Sequence, residues 1–209
     1  EKAKKELDAD TYRQEILAEY LDNAGSLFKY EALIDIFSNS VIKSGERYLI
    51  VDIADDGSDK TIFSFWDDLE EYRREEFARL NTEGIINQIR EYAAQDKFPY
   101  SHIAVDAIGV GAGVASSSML DGIVGFKSSY QAIKTDINIA RLPNVGYIKA
   151  PLVTDYRNLR SQCVFTLAEL VNTHQIASKL TGRLKEVIIE ELSNYQDVRS
   201  GDGKRQATA

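Results

Sequence analysis

Two short apolar segments that each run into an aspartate constrain the fold of this 209-residue chain most strongly. The first covers residues 47–53 and contains Asp52, and the second covers residues 102–107 and contains Asp106. Short apolar runs bounded by turn residues are typical of buried strands. A helical pattern over about 75–95 lies between them. The sequence therefore predicts an α/β fold with a mixed central β-sheet flanked by α-helices.

The remaining patterns place further elements on both sides of these strands. They predict an amphipathic helix over 10–22, a short helix over 30–38, a strand over 61–66, a short strand over 122–126, and two long helices with apolar stripes within 156–171 and 184–195. We place a boundary near Ser44, which divides the chain into a helical arm, residues 1–44, and a domain, residues 45–209.

Composition limits the kinds of site that the chain can form. Lys and Arg total 25 against 33 Asp and Glu, a net charge of −8, so the whole chain is not a nonspecific polyanion binder. One cysteine excludes an internal disulfide and a cysteine-based zinc site, and only two histidines are present. A metal site would therefore use carboxylates, which favours Mg²⁺ or Mn²⁺. No apolar run approaches the roughly 18 to 20 residues of a membrane span, so we expect no membrane partner.

A group of acids follows the first strand: Asp52, Asp55, Asp56 and Asp59. An aspartate between two apolar strand residues is costly to bury in its charged form unless a cation neutralises it, and a divalent ion does so directly. A solvated hairpin turn, in which Asp and Gly suit the backbone geometry, is the other interpretation.

The second strand runs through Asp106 into glycines at positions 109, 111 and 113. If the two strands are parallel neighbours, Asp52 and Asp106 lie side by side outside the carboxyl ends of the sheet, where open α/β folds bind ligands. The G-x-G-x-G spacing matches the dinucleotide loop G-x-G-x-x-G only weakly. Asp106 just ahead of the loop would also repel a pyrophosphate, so glycines that let the backbone turn beside a metal-binding carboxylate are the simpler explanation. Two carboxylates that share a pair of hard cations would support phosphodiester cleavage.

Such a site usually has a third carboxylate, and the residues alone do not identify it. The candidates are Asp59, Glu190, Glu191, Asp197 and Asp202. Each is also explained as an ordinary solvated acid of a helix or turn.

Four stretches of the chain resemble the nuclease domain of phage large terminase subunits, the DNA-packaging motors of tailed phages. Residues 10–20 look like the segment that links the motor ATPase to the nuclease. Residues 48–63 resemble the first nuclease motif, and residues 103–114 resemble the second. Residues 156–170 look like the helix that precedes the closing segment.

The resemblance implies an RNase H-like fold and a Mg²⁺- or Mn²⁺-dependent endonuclease that cuts concatemeric double-stranded viral DNA when packaging begins and ends. By position, Asp52 and Asp106 match the family's first two metal-binding acids, and Asp55 and Asp59 match additional acids of the first motif. The implied partners are viral DNA, the portal protein and the small terminase subunit, in the host cytoplasm. The implied assembly is a homo-oligomer in the motor, and a monomer stays open for the isolated domain.

The closing segment departs from the family's pattern, in which a third acid follows the last long helix. Asp202 is the nearest counterpart, and we expect the third acid to be absent from this chain. The phosphate-binding motif G-x-x-x-x-G-K-[ST] does not occur, so we expect no ATP site.

DNA contacts would come from basic residues that follow the two motifs. These are Lys127, Lys134, Arg141, Lys149, Arg157, Arg160, Lys204 and Arg205. Exposed basic residues that only keep the protein soluble are the other interpretation.

Two other functions stay open at this point. An actin-like or sugar-kinase-like phosphotransferase could hold a nucleotide phosphate on the turn at residues 57–61, and it predicts nucleotide binding and a second related domain. A non-catalytic docking module would carry the acids as a solvated rim, and it predicts no change of stability on metal binding.

Overall fold

A six-stranded mixed sheet forms the centre of the molecule. The computed structural model describes residues 25–54, 59–133 and 156–209. The strands are β1 (Arg47–Asp52), β2 (Lys60–Asp67), β3 (Glu70–Ala78), β4 (Ile103–Asp106), β5 (Val124–Phe126) and β6 (Ala177–Ser178), in the order β5-β4-β1-β2-β3-β6. β2 pairs antiparallel with β1 on one side and with β3 on the other. The other three pairs are parallel: β1 with β4, β4 with β5, and β3 with β6. The predicted mixed α/β sheet is therefore confirmed.

Helices flank this sheet, and a small two-stranded sheet forms the last part of the described chain. The helices are α1 (Tyr30–Asp35), α2 (Thr82–Asp96), α3 (Gly111–Ala115), α4 (Leu159–Asn172) and α5 (Arg183–Ser193), with 3-10 turns at Tyr100–His102 and Ser118–Leu120. The antiparallel hairpin of β7 (Gln196–Arg199) and β8 (Arg205–Thr208) follows α5. None of the helices in the described ranges has the length and hydrophobicity that crossing a bilayer requires.

The alternation of side chains along β1 and β4 creates the first hydrophobic core. Leu49, Val51, Ile103 and Val105 are almost fully buried and pack in one cluster with the apolar face of α2. Since neighbouring residues of a strand point to opposite sides, the residues between them face the other side of the sheet. This second face is the one on which Asp52 and Asp106 lie.

A second hydrophobic core lies between α1 and α4. Leu27, Phe28 and Leu33 are buried in one cluster with Phe165 and Val171 of α4. Residues 27–36 thus pack with the helices of the domain, although they precede the boundary at Ser44. The division of the chain at residue 44 stays a prediction, and the helix predicted over 10–22 lies outside the described residues.

The helix predicted over about 75–95 was wrong at its beginning. Residues 70–78 form β3, and α2 begins only at Thr82. β3 is dominated by charged residues, whose partners lie along or across the strands: Arg74 Nε donates to Glu71 at 2.8 Å, and Lys60 Nζ of β2 lies 2.5 Å from Glu76. Such pairing stabilises a strand without apolar alternation, so the sequence pattern did not reveal it.

Candidate active site at the carboxyl ends of β1 and β4

The parallel pairing of β1 with β4 brings Asp52 and Asp106 together. Val51 is the register partner of Val105, so the next residue on each strand is an aspartate. Neighbouring strands lie about 4.8 Å apart. The structure therefore places the two aspartates side by side at the end of their strands, where the sequence predicted them.

The two aspartates lie on an open face of the sheet. Asp52 is exposed and Asp106 is half-buried. Ile50, two residues before Asp52 on the same face, is 46% exposed, whereas Leu49 and Val51 on the other face are at most 1% exposed. A polyanionic substrate could therefore reach the aspartates from this side.

The charge on Asp52 is electrostatically unfavourable. Although the residue is exposed, the surrounding protein removes part of its hydration, and this burial is the largest factor that raises the pKa of Asp52 above 3.8. The negative charges of Asp106 and Asp59 raise the pKa of Asp52 further. Two neighbouring carboxylates thus oppose the negative charge of Asp52 at this edge of the sheet.

The loop after β4 holds Asp106 in place through its backbone. Ala107 N donates to Phe126 O at 2.8 Å, which extends the pairing with β5 past the aspartate. Ile108 N donates to Asp106 Oδ1 at 3.2 Å. Gly109 follows with a positive φ of 57°, a left-handed conformation that favours glycine.

Gly111 allows the start of α3 to pack directly on the aspartate's backbone. A Cβ atom at this position would lie 1.8 Å from Asp106 O, a distance that no side chain permits. The glycine-rich segment is thus explained by a close backbone approach beside a carboxylate. The weak dinucleotide-loop pattern already contained this signal, but the contact itself depends on the fold.

Asp59 lies just before β2, next to the same site. Thr61, which is 2% exposed, accepts a hydrogen bond from Ala54 N at 3.3 Å and so joins the chain after β1 to the beginning of β2. Asp55 falls within 55–58, outside the described residues.

The other acids considered as a third ligand lie in or next to the β7–β8 hairpin. Asp202 is in the hairpin turn, where its Oδ1 accepts from Ser200 Oγ and, at 3.3 Å, from Lys204 N. Asp197 forms an ion pair with Arg205 at 2.7 Å, and Glu190 and Glu191 are exposed on α5. These contacts occupy Asp197 and Asp202 within the hairpin.

Within the described ranges, no three acidic, histidine or cysteine side chains are arranged to hold a metal ion together. The negative charge of Asp59 raises the pKa of Asp52, but Asp59 does not form a three-ligand metal site with Asp52 and Asp106. The two strand-end aspartates therefore offer part of a coordination sphere, and their oxygen atoms are ligands that suit Mg²⁺ or Mn²⁺.

Several of the predicted DNA-binding residues gather near the N-terminus of α4. Lys127 directly follows Phe126, the register partner of Asp106. Arg160 N donates to Ser128 O at 3.1 Å, and Arg157 N donates to Arg205 O at 3.0 Å. The chain after β5, the start of α4 and β8 thus meet, and we call Lys127, Arg157 and Arg160 the basic border of the site.

The remaining predicted basic residues are partly engaged or lie outside the described ranges. Arg205 pairs with Asp197 and stacks on the ring of Phe165, with its guanidinium carbon 3.9 Å from the ring centre. Lys204 Nζ lies 3.6 Å from Asp202. Lys134, Arg141 and Lys149 fall within 134–155, outside the described residues.

The fold is similar to that of solved nuclease domains of large terminase subunits. The nuclease domain of the large terminase subunit gp2 of bacterial virus Sf6 shares 19% identity over 88% of each chain, with a TM-score of 0.69. The chain has the RNase H-like fold of a large-terminase nuclease domain. No family model matches the sequence, and no curated protein matches it.

Two further structures with the large-terminase nuclease fold support this assignment. A variant of the Sf6 domain, solved with manganese, shares 18% identity over 88% of each chain at a TM-score of 0.66. The large terminase nuclease of thermophilic phage G20c shares 14% identity over 88% of this chain and 89% of that one, at a TM-score of 0.50. The manganese belongs to the Sf6 structure.

A methyl group at Gly111 should disrupt the site, whereas one at Gly113 should not. Gly111→Ala should lower the free energy of unfolding by about 1–3 kcal/mol, because its Cβ would collide with Asp106 O. Gly113→Ala is the matched control: its Cβ would meet Thr82 Cγ2 at 3.5 Å, an ordinary contact, and alanine favours the helix by about 0.5–1 kcal/mol. Urea denaturation measures both changes, and equal stabilities for the two variants would contradict this packing.

Asp52→Asn should stabilise the metal-free protein at neutral pH. Because the pKa of Asp52 is raised above 3.8 in the folded state, the folded state binds the proton more tightly than the unfolded state. Stability should therefore fall as the pH rises from about 3.8 through the raised pKa, and stay lower above it. Melting in EDTA should give a higher Tm for the variant at pH 7, and the gain should disappear near pH 3.8. A lower Tm for the variant at pH 7 would contradict the repulsion.

Proposed function

We propose that this chain is the metal-dependent endonuclease domain of a phage DNA-packaging terminase. The observation that supports the proposal best is the register of β1 and β4, which sets Asp52 beside Asp106 at the carboxyl ends of two parallel strands. The fold shared with terminase nucleases supports the same conclusion. The proposed reaction is hydrolysis of concatemeric double-stranded viral DNA when packaging begins and when it is complete.

The acids at the sheet edge fit a divalent cation by their chemistry. They offer hard oxygen ligands, and they repel one another in the absence of a positive charge. We propose Asp52 and Asp106 as the main metal ligands and Asp59 as an additional one. When bound, a pair of Mg²⁺ or Mn²⁺ ions would activate the attacking water and stabilise the leaving oxygen.

The chain's own residues position these ligands. The Ile108 N–H orients the Asp106 carboxylate, and the close approach of Gly111 fixes the backbone behind it. The exposed face around Ile50 leaves room for the DNA backbone to reach Asp52. A metal-binding role for Asp55 stays a prediction, because Asp55 lies outside the described residues. The same role stays a prediction for Asp202, whose carboxylate accepts hydrogen bonds from Ser200 Oγ and Lys204 N.

The basic border gives the DNA backbone a place to lie next to the aspartates. Lys127 continues from the strand that pairs with β4, and Arg157 and Arg160 lie beside it. We propose that these three residues contact phosphates, and that Lys204 and Arg205 join them when DNA competes with Asp202 and Asp197. Lys134 is part of the same proposal from sequence alone. Contacts of this kind bind DNA without reading its sequence.

The wider setting follows from the same proposal. The protein would act in the host cytoplasm with the portal protein and the small terminase subunit, as one copy of a homo-oligomeric motor. The sequence contains no phosphate-binding motif, so we propose that this chain does not itself bind ATP.

Cleavage of supercoiled plasmid tests the proposed function. The chain should nick plasmid with Mn²⁺ or Mg²⁺ and not with EDTA. Asp52→Asn and Asp106→Asn should each lower the rate at least about 100-fold, because even residues that only support a metal ligand cost 10- to 100-fold when replaced.

Asp121→Asn is the matched control for these variants. Asp121 is exposed in the turn before β5, away from the strand ends that carry the two aspartates, so its replacement should leave the rate unchanged. Metal-dependent nicking that survives in both site variants would contradict the assignment of Asp52 and Asp106.

A further inference from the structure

Lys60 opens β2 at the same edge of the sheet as the two aspartates. β2 is antiparallel to β1, and Asp52 is the register partner of Ile62. Lys60 comes two residues before Ile62 and, because β2 runs antiparallel to β1, it lies beyond the carboxyl end of β1. At about 3.4 Å per residue and about 4.8 Å between strands, its backbone is about 8 Å from that of Asp52.

The side chain of Lys60 is on the same open face as Asp52 and Asp106. Phe63 and Phe65 are fully buried on the opposite face, so the even-numbered residues of β2 face the site. The ion pair between Lys60 Nζ and Glu76 at 2.5 Å agrees with this direction, because Glu76 is the register partner of Ile62. The Lys60 side chain is 42% exposed, so its ammonium remains accessible.

Glu76 holds Lys60 without using all of its donors. The hydrogen bond from Lys60 is the largest factor that lowers the pKa of Glu76, and the charges of Arg183 and Arg74 lower it further. An ammonium has three N–H donors, of which Glu76 takes one. Among the described residues, Glu76 is the acceptor that Lys60 bonds, and the ammonium has donors for a further acceptor on the open face.

Lys60 and Lys127 lie on opposite sides of the aspartates. Lys127 follows β5, one strand beyond Asp106, and Lys60 begins β2, one strand beyond Asp52. Across the edge of the sheet, the charged side chains therefore follow the order Lys127, Asp106, Asp52, Lys60. A DNA strand whose scissile phosphate lies at the carboxylates would meet a positive charge on each side.

We propose that Lys60 binds a backbone phosphate of DNA on the β2 side of the two aspartates, with Glu76 as the residue that positions it. The inference rests on the proposed nuclease function and adds a second border to the site, opposite the basic border. It assigns to the Lys60–Glu76 pair a role beyond the pairing of β2 with β3. Phosphate contacts position the DNA and do not read its bases.

The test is the salt dependence of binding to a duplex DNA, measured in EDTA so that no cleavage occurs. Each phosphate contact contributes about 0.9 to the slope of log K against log salt concentration. Lys60→Gln should therefore lower the slope by about 1, which weakens binding roughly tenfold at 0.1 M salt relative to 1 M. Lys60→Arg, which keeps the charge, should retain the slope.

Lys97→Gln is the matched control. Lys97 follows α2 at the end of the sheet near Asp96, opposite to the aspartates, and its loss should leave the slope unchanged. Glu76→Gln should tighten binding, because it removes a negative charge and keeps an amide oxygen that can accept from Lys60. Equal slopes for Lys60→Gln and Lys97→Gln would overturn the proposal, as would a loss of the slope in Lys60→Arg.

The same variants separate this inference from the proposed function. Asp52→Asn should abolish nicking in Mn²⁺ and keep the part of the salt slope that depends on Lys60. If the wild type does not nick plasmid but the Lys60-dependent slope is present, the nuclease assignment fails and the phosphate contact stands. If the wild type nicks plasmid but Lys60→Gln binds as the wild type does, the contact fails and the nuclease stands.

Discussion

The parallel pairing of β1 with β4 is the constraint on which the rest of the site depends. It is the only link in the described structure that sets Asp52 directly beside Asp106, because the chain between them passes through two antiparallel strands and a helix. The buried faces of both strands against α2 fix the register, since a slip by one residue would turn the aspartates toward the hydrophobic core. The core thus determines the geometry of the carboxylates.

The arrangement of these aspartates is unfavourable for the fold while Asp52 carries its negative charge. The raised pKa of Asp52 shows that its negative charge is unfavourable next to Asp106 and Asp59. Gly111 lets the start of α3 pack closely against the backbone of Asp106. The unfavourable charge is confined to this edge of the sheet. The buried residues of the two hydrophobic cores stabilise the domain.

The sequence predicted the parts of the fold that have a strong local signal. The apolar runs that end at Asp52 and Asp106 predicted both strands and, with the assumption of parallel pairing, the contact between the aspartates. The charged strand β3 was missed because part of its stability comes from a partner on another strand, Lys60, which only the register of β2 and β3 brings to Glu76. The position of Lys60 beside the site depends on the same register, so no motif could have identified it.

Manganese binding followed by nuclear magnetic resonance tests the central claim most directly. Mn²⁺ broadens the signals of nearby nuclei, so a titration of ¹⁵N-labelled protein locates the ion without any need for cleavage. We expect the amide signals of Asp52, Asp106 and Ile108 to broaden first, and Asp106→Asn to weaken this effect. Broadening that begins in the turn around Asp202, or no selective broadening, would contradict a metal site at the ends of β1 and β4.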